Sequence, residues 1–414
     1  MYKLPRGWEF RRVDEVGEVQ LGRQRSPSQT VGPYLRPYLR VANVFDGYID
    51  YSDVLQMNFT PREFDTYSLS VGDILLNEGQ DLDLVGRCAI YDGPPGVCFQ
   101  NTLLRFRSQS VIPQFARTVF KYWLDQGEFR MLTRQTTSIA HLGVGQFSTM
   151  KFPFAPPLEQ RRIADILVNV DEQIDSATKI GSKLSVQMSG TLDQFVSEDE
   201  SKGYSASIGD VLLRIDSGWS PLCDENPPSL DAWGVIKVSA VTSGRYLPAE
   251  SKTLLPGMRA RSDIEIHDGD LIMCRANGAR NLVGVAVMVI DTPPKLMLSD
   301  KTLRLVTDGA LMSSRYLYYF ITSSYARRQI EALLSGSSGQ NNISQRLIRS
   351  MRISVPGHVR QQQVVRTIDA LDARIRTEAE TLRMLQLLKQ GLMHDLLMGR
   401  VRVTDGGLER VGTE

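Results

Sequence analysis

The chain has 414 residues, 42% of them hydrophobic and 23% charged, so it can bury cores for two or three domains and is not a disordered tail. A formal net charge of +1 excludes a uniformly basic DNA-coating protein and points to local basic faces, or to partners that add phosphate contacts. Cys88, Cys98, Cys223 and Cys274 form no CxxC pair, which excludes a zinc ribbon, and no apolar run reaches the roughly 20 residues of a membrane helix, so no metal, no membrane and a reduced, cytoplasmic setting are expected.

In chain order, strands are expected at residues 71–76, 86–91 and 102–106, divided by turn clusters such as Asp92-Gly93-Pro94-Pro95-Gly96. A helix is expected over residues 114–133. After Pro156-Pro157 the apolar residues fall at Ile163, Leu167, Val170, Ile174, Ala177, Leu184, Met188, Leu192 and Phe195. With Gly181 as a skipped position the steps alternate four and three, the seam of a coiled coil. Strands resume at residues 235–241, 270–274 and 283–290, and a second helix is expected over residues 313–334. After Pro356 a second seam runs through Val364, Ile368, Leu371, Ile375, Leu382, Leu385, Leu392 and Leu396, interrupted at Glu378. Each seam helix spans about 38 residues, or about 57 Å.

The second half repeats the first. Leu39-Arg40-Val41-Ala42-Asn43-Val44 aligns with Ile236-Lys237-Val238-Ser239-Ala240-Val241 at an offset of 197, as do Gly47 with Gly244 and Gly72-Asp73 with Gly269-Asp270. The offset is 198 at Leu84-Val85-Gly86 against Leu282-Val283-Gly284, and 201 at Met150-Lys151-Phe152 against Met351-Arg352-Ile353. A collinear match whose offset drifts slowly is what loop insertions in a duplicated unit produce. Neither seam helix is stable alone in water, and Gly181 weakens the first by about 1 kcal/mol relative to Ala, so the two seams are expected to pair. A whole β-rich domain lies between them, which makes the expected pair antiparallel.

The plan and its motifs resemble the specificity subunits of type I restriction–modification systems. The motif after Pro157 reads Leu158-Glu159-Gln160-Arg161-Arg162-Ile163-Ala164, similar to the family's Pro-Leu-x-Glu-Gln-x-x-Ile-Ala. The end of the second helix, Leu388-Lys389-Gln390-Gly391-Leu392-Met393-His394-Asp395-Leu396-Leu397, resembles its C-terminal motif, and Leu4-Pro5-Arg6-Gly7-Trp8 its opening. The second copy departs at Gly357-His358-Val359-Arg360-Gln361, which lacks the Glu before Gln. The resemblance implies an α+β chain with two duplicated β-rich target recognition domains, residues 1–157 and 199–357. They are joined by two long helices, residues 158–198 and 358–400, forming an antiparallel coiled coil, with a tail at 401–414. It implies a non-catalytic subunit that reads one half of a bipartite double-stranded DNA site with each domain. The helix pair sets the spacer and docks two methylation subunits, joined by motor-nuclease subunits. S-adenosylmethionine, ATP and magnesium are then needs of the partners, with no cofactor in this chain. The alternatives are a methylation-only complex and a coiled-coil scaffold that binds no DNA.

Base reading needs Arg, Lys, Asn, Gln, Ser or Thr on loops that reach a groove. Three loops and one scattered set fit. The first loop carries Arg23 and Arg25, opposite Ser217-Gly218-Trp219-Ser220 in the second copy. The second carries Arg87, opposite Arg275, Asn277, Arg280 and Asn281. The third carries Arg134, Gln135, Thr136 and Thr137, opposite Ser337, Ser338, Gln340, Asn341 and Asn342. The scattered basic residues are Arg36, Arg40, Lys237 and Arg245. Glu78 and Asp81 repel phosphate, which makes the first copy's second loop the weaker candidate. Asn226-Pro227-Pro228-Ser229 is similar to an amino-methyltransferase motif, but Ser229 cannot stack on a flipped base. Neither a phosphate-binding loop nor a nucleophile motif accompanies His141, His267, His358 or His394, and His394 is expected to face a partner or solvent.

Overall fold

The computed structural model describes residues 4–26, 30–135, 140–202, 204–334, 341–404 and 407–410. The chain forms two compact units: unit 1 holds residues 1–177 and 381–414, and unit 2 holds residues 178–380.

In unit 1 a four-stranded antiparallel sheet has the spatial order Gly17–Leu21, Leu103–Ser108, Ile74–Asn77, Cys88–Ile90. Strand Ile74–Asn77 is apolar without alternation because both its faces are covered. Ile74 and Leu76 enter the larger core, while Leu75 enters a second cluster with Leu39, Ala89 and Phe99. That second cluster belongs to a smaller sheet, Leu55–Asn58, Leu35–Leu39, Cys98–Phe99, whose last pair is parallel.

Unit 2 repeats the plan. Its main sheet runs Leu212–Ser217, Thr302–Thr307, Leu271–Cys274, Ala286–Met288. Leu271 and Met273 face one core, and Ile272 and Cys274 the other. The smaller sheet gains an edge strand, Cys223–Asp224, and keeps the parallel pair Gly234–Ile236 with Leu296–Met297. Gly86 and Gly284 explain one of the repeated sequence matches. Their φ angles are +84° and +87°, and an added Cβ would lie 2.2 Å from the Phe129 ring and 2.8 Å from Ile330, so only glycine fits.

One expected strand and both expected single helices differ. Residues 235–241 form a strand only to Ile236, then the short helix Ser239–Thr242, because Val238 already has helical backbone angles. The expected single helices each break in two: Pro113–Asp125 and Glu128–Leu132 in unit 1, Ser314–Thr322 and Ser324–Leu333 in unit 2. In unit 2 Ser323 is extended and accepts the Ala326 N–H on its side chain, capping a new helix start.

The two long helices are Pro157–Lys202 (46 residues) and His358–Leu397 (40 residues), each continuing from one unit into the other. Pro157 occupies the first helical turn, where its missing N–H has no helical partner to lose. The pairing is antiparallel within each unit taken by itself. In unit 1 Ile163, Ala164 and Leu167 share a core with Met393, Leu396 and Leu397, and Lys389 pairs with Asp171 at 2.5 Å. In unit 2 Leu192 and Val196 share a core with Val364 and Ile368, with Leu371 packed against it. Val170 and Leu184 are also buried, while Ile174, Ile375, Leu382, Leu385 and Leu392 are half-buried, so the inferred seam is the covered face. Gly181 and Glu378, the seam's skipped positions, are half-buried on the same face.

A glutamine holds each helix start to its unit. Gln160 accepts the Ile112 N–H and donates to the Ala155 carbonyl, both at 2.8 Å. Gln361 accepts the Ser313 N–H at 2.9 Å and donates to the Pro356 and Leu311 carbonyls at 2.9 and 2.8 Å. Both glutamines are buried, so each satisfies a backbone group that water cannot reach.

Candidate nucleic-acid interface

The three loops singled out in each copy meet in one ridge per unit. The first strand of each main sheet leads to a glycine, Gly22 or Gly218. An added Cβ there would lie 2.2 Å from the backbone oxygen of Gln100 or Ser299, so the first loop is pressed onto the turn before the central strand. That turn holds the second loop: the Glu78 N–H donates to Thr102 and the Arg275 N–H to Lys301, both at 2.9 Å. The second loop holds the third through a miniature sheet. Gly79–Gln80 pairs with Ala140–His141 in unit 1, and Ala276–Asn277 with Asn341–Asn342 in unit 2. Backbone bonds from Leu142 to Glu78 (2.8 Å) and from Ile343 to Arg275 (2.9 Å) continue the pairing. Loops separated by about sixty residues in sequence thus become neighbours.

In unit 1 Arg25 and Arg36 are exposed, Arg36 lying over the Phe64 ring at 4.7 Å. Arg23 is buried: its guanidinium donates to Glu63 and to the Asn58 carbonyl at 2.7 Å and lies over Phe59. Burial opposes ionisation of Glu63, but bonds from Thr60 and Arg23 outweigh it and hold this carboxyl below its ordinary range. Arg40 pairs with Asp53, and Arg87 stacks over Phe45 at 4.9 Å. Arg134 and Gln135 form a third strand of the miniature sheet. Glu78, 17% exposed, faces His141 at 3.2 Å, so the acidic group stands on the ridge itself. Thr136 and Thr137 lie outside the described residues.

In unit 2 the ridge is more open. Arg245, Arg280, Asn281 and Asn342 are exposed and Arg275 is half-buried. Asn277 and Asn341 shape the loop: Asn277 accepts the Ala279 N–H at 2.9 Å and Asn341 donates to the Gly278 carbonyl at 3.0 Å. Arg280 donates to the Glu331 carbonyl at 2.8 Å. Beside the ridge lies a cleft of about 300 Å³ lined by Lys237, Lys252 and Lys301 together with Glu225 and Asp300. The hydrogen bond from Lys252 lowers the affinity of Glu225 for its proton and raises that of Lys252. Ser337, Ser338 and Gln340 lie outside the described residues.

The sequence reading missed the turn before the central strand. It places Gln100 and Asn101 in unit 1 and Asp300 and Lys301 in unit 2 between the first two loops. Polar residues at matching places in both copies were the available signal. One other expectation changes: His394 is half-buried, and its Nδ1 meets the Tyr122 hydroxyl at 2.8 Å. Asn226 lies in a turn, bonding Asp224 at 2.8 Å and accepting from Thr253. Among the described residues no cluster of three or more His, Cys, Asp or Glu could hold a metal, and no helix is long and apolar enough to cross a membrane.

Solved structures share this fold. The S subunit of a type I restriction–modification system from M. genitalium superimposes with a TM-score of 0.58 at 14% identity, covering 96% of this chain and 98% of that one. A chain from work on complex assembly and conformational transition of the type I R-M system gives 0.56 at 16% identity, covering 96% and 99%. The type I restriction enzyme EcoEI specificity subunit of Escherichia coli is 38% identical over 185 residues, which is 42% of this chain and 31% of that protein. The putative type I restriction enzyme MjaX specificity subunit of Methanocaldococcus jannaschii is 21% identical over 422 residues, 97% of this chain and 95% of that one. The family model described as Type I restriction modification DNA specificity domain matches residues 5–185 and 272–387. That match takes in well over half of the chain and both copies of the duplicated unit, and the protein belongs to this family.

Proposed function

We propose that the chain is the DNA-reading specificity subunit of a type I restriction–modification complex, each unit reading one half of a bipartite site. The observation that carries this reading is the ridge: the same three loops joined by the same backbone bonds in both units, with different side chains on each. A fixed backbone with variable Arg, Asn, Gln and Lys side chains suits readout of two unlike half-sites. In the cleft of unit 2, where Glu225 pairs with Lys237 and Lys252, Lys301 suits phosphate, which positions without specifying. The chain performs no chemistry in this reading. Methyl transfer and cleavage, with S-adenosylmethionine, ATP and magnesium, fall to two methylation subunits and to motor-nuclease subunits, in the cytoplasm. The continuous long helices dock the methylation subunits and set the spacer between half-sites.

Co-expression with a methylation subunit from the same genome, followed by mapping of methylated adenines, tests this. A bipartite motif with a fixed spacer is expected, and a heptad inserted in the long helices changes the spacer. A continuous motif, or no methylation that depends on this chain, overturns the reading.

A further inference from the structure

The start of each long helix is clasped to the far end of the other helix, and the two clasps have opposite polarity. In unit 1 the first helix starts with Glu159, 8% exposed. It accepts the Trp8 indole N–H at 3.0 Å and pairs with Arg402, in the strand just after the second helix. In unit 2 the equivalent place, one residue before the matching glutamine, is Arg360. It donates to Asp199 at 2.9 Å and Glu198 at 2.8 Å, both in the last turns of the first helix. Asp199, 6% exposed, also accepts the Tyr316 hydroxyl at 2.8 Å. Each clasp therefore centres on one buried carboxylate, one arginine and one neutral aromatic donor, and unit 2 adds the more exposed Glu198. What has been exchanged is which helix supplies the charge of which sign. The glutamines next door, Gln160 and Gln361, make the same bonds at both places, so the positions are structurally equivalent and the inversion is a chemical difference on a common frame.

A duplicated chain has a pairing problem. Its two seam helices are similar, so a first helix can in principle pair with the first helix of another molecule, and a second with a second. We propose that the inverted clasps are the device that forbids this, making pairing of unlike helices the only electrostatically matched arrangement. In a first-with-first pair, Glu159 meets Asp199 and Glu198, so buried carboxylates face one another. In a second-with-second pair, Arg360 meets Arg402. Like charges in partly buried positions are screened little by salt and discriminate strongly between partners. The partner excluded is a second copy of this chain, and Glu159, Asp199, Arg360 and Arg402 are the specificity-determining residues.

The test is a swap that leaves net charge unchanged. In the full chain, Glu159→Arg together with Arg360→Glu frustrates both clasps in the unlike pairing and matches both in like pairings. Size-exclusion chromatography with light scattering is run across a range of protein concentrations. The wild type is expected to show no growth in mass through this route. The swap variant is expected to show a dimer whose share rises with concentration, and a Tm lowered by several degrees. Adding Arg402→Glu and Asp199→Arg to the swap restores unlike pairing and returns both readings to those of the wild type, which separates lost pairing from failed folding. A swap variant that keeps the wild-type mass distribution overturns the proposal whether or not its Tm falls, since a Tm change alone shows only that the clasps stabilise. So does a four-residue variant that remains dimeric.

Discussion

The two units carry the same buried arginine at the heart of the main sheet, yet they satisfy it differently. Arg105 in unit 1 pairs with one carboxylate, Glu18, and with the Thr66 and Ser68 carbonyls. Its neighbour Arg107 takes Asp73. Arg304 in unit 2 pairs with two, Asp216 and Asp270, and with the Glu265 and Asp263 carbonyls. Burial weakens the hold of Arg105 on its proton; the same burial at Arg304 is outweighed by its two partners. The comparison teaches that duplication preserved the frame, a cation tying the main sheet to the backbone of the segment before its third strand, while its ionic partners drifted. The ridges differ in the same way: an acidic Glu78 stands on one, whereas Arg275, Arg280 and an asparagine-shaped loop make up the other.

The sharpest way to break this comparison is to remove the cation. Arg304→Met leaves the mostly covered Asp270 with only the His267 backbone N–H and Asp216 with only the exposed Arg214, and is expected to cost about 3 kcal/mol. Arg105→Met strands only Glu18, which is 47% exposed, and should cost about 1–3 kcal/mol. Chemical denaturation followed by fluorescence ranks the two, and equal losses would show that the difference in partners has no energetic meaning. Next come the glutamines, where the units are alike. Gln160→Ala and Gln361→Ala each leave a buried carbonyl and a part-buried backbone N–H without this partner and should each cost about 1–3 kcal/mol, matched between units. A large loss in one and none in the other breaks the equivalence.

The ridges are compared by DNA binding. Arg275→Ala in unit 2 should weaken binding to the cognate site about ten-fold or more if the side chain reads a base. Lys301→Ala should weaken all sequences alike and flatten the salt dependence. Glu78→Gln in unit 1 should strengthen binding modestly, most at low salt; weaker binding would place that carboxylate in base recognition instead. The smallest effect concerns pH. Glu63 in unit 1 is held below its ordinary range, so its pair with Arg23 contributes stability above the unfolded-state value and loses it as pH falls through the folded-state value. Wild type should thus lose more stability than Glu63→Gln between neutral and acidic pH, read as the two Tm curves converging.

Much of the architecture could be read from the chain because it rests on periodicity. The seam positions from Ile163 to Leu396 were legible since a helix face repeats regularly and a covered stripe must be apolar. The glycine matches were legible since a positive φ admits few other residues. The ridge was legible only in pieces. Arg23 looks like a DNA contact in sequence because charge is visible there, while its burial against Glu63 and Phe59 depends on a short helix, Pro61–Tyr67, and the residues just before it, some forty positions away. The turn at Gln100 and Lys301 showed only as matching polar residues in the two copies; its adjacency to the loops comes from strand pairing, which no local pattern encodes. The clasps lay in plain view as a missing Glu before Gln361. Their meaning needed Asp199 and Arg402, each far off in the chain.

Unit 1 is built from two separated stretches of chain, and its main core includes Met393, Leu396, Leu397 and Val403 alongside Trp8 and Val16. Unit 2 is one continuous stretch. During synthesis the later-made unit can therefore close first. The residues made earliest stay incomplete until those around 393–403 leave the ribosome, a reversal of the usual N-terminal-first order. A translational stall between the two would leave a finished second unit tethered to an open first one, with its apolar core offered to chaperones and proteases.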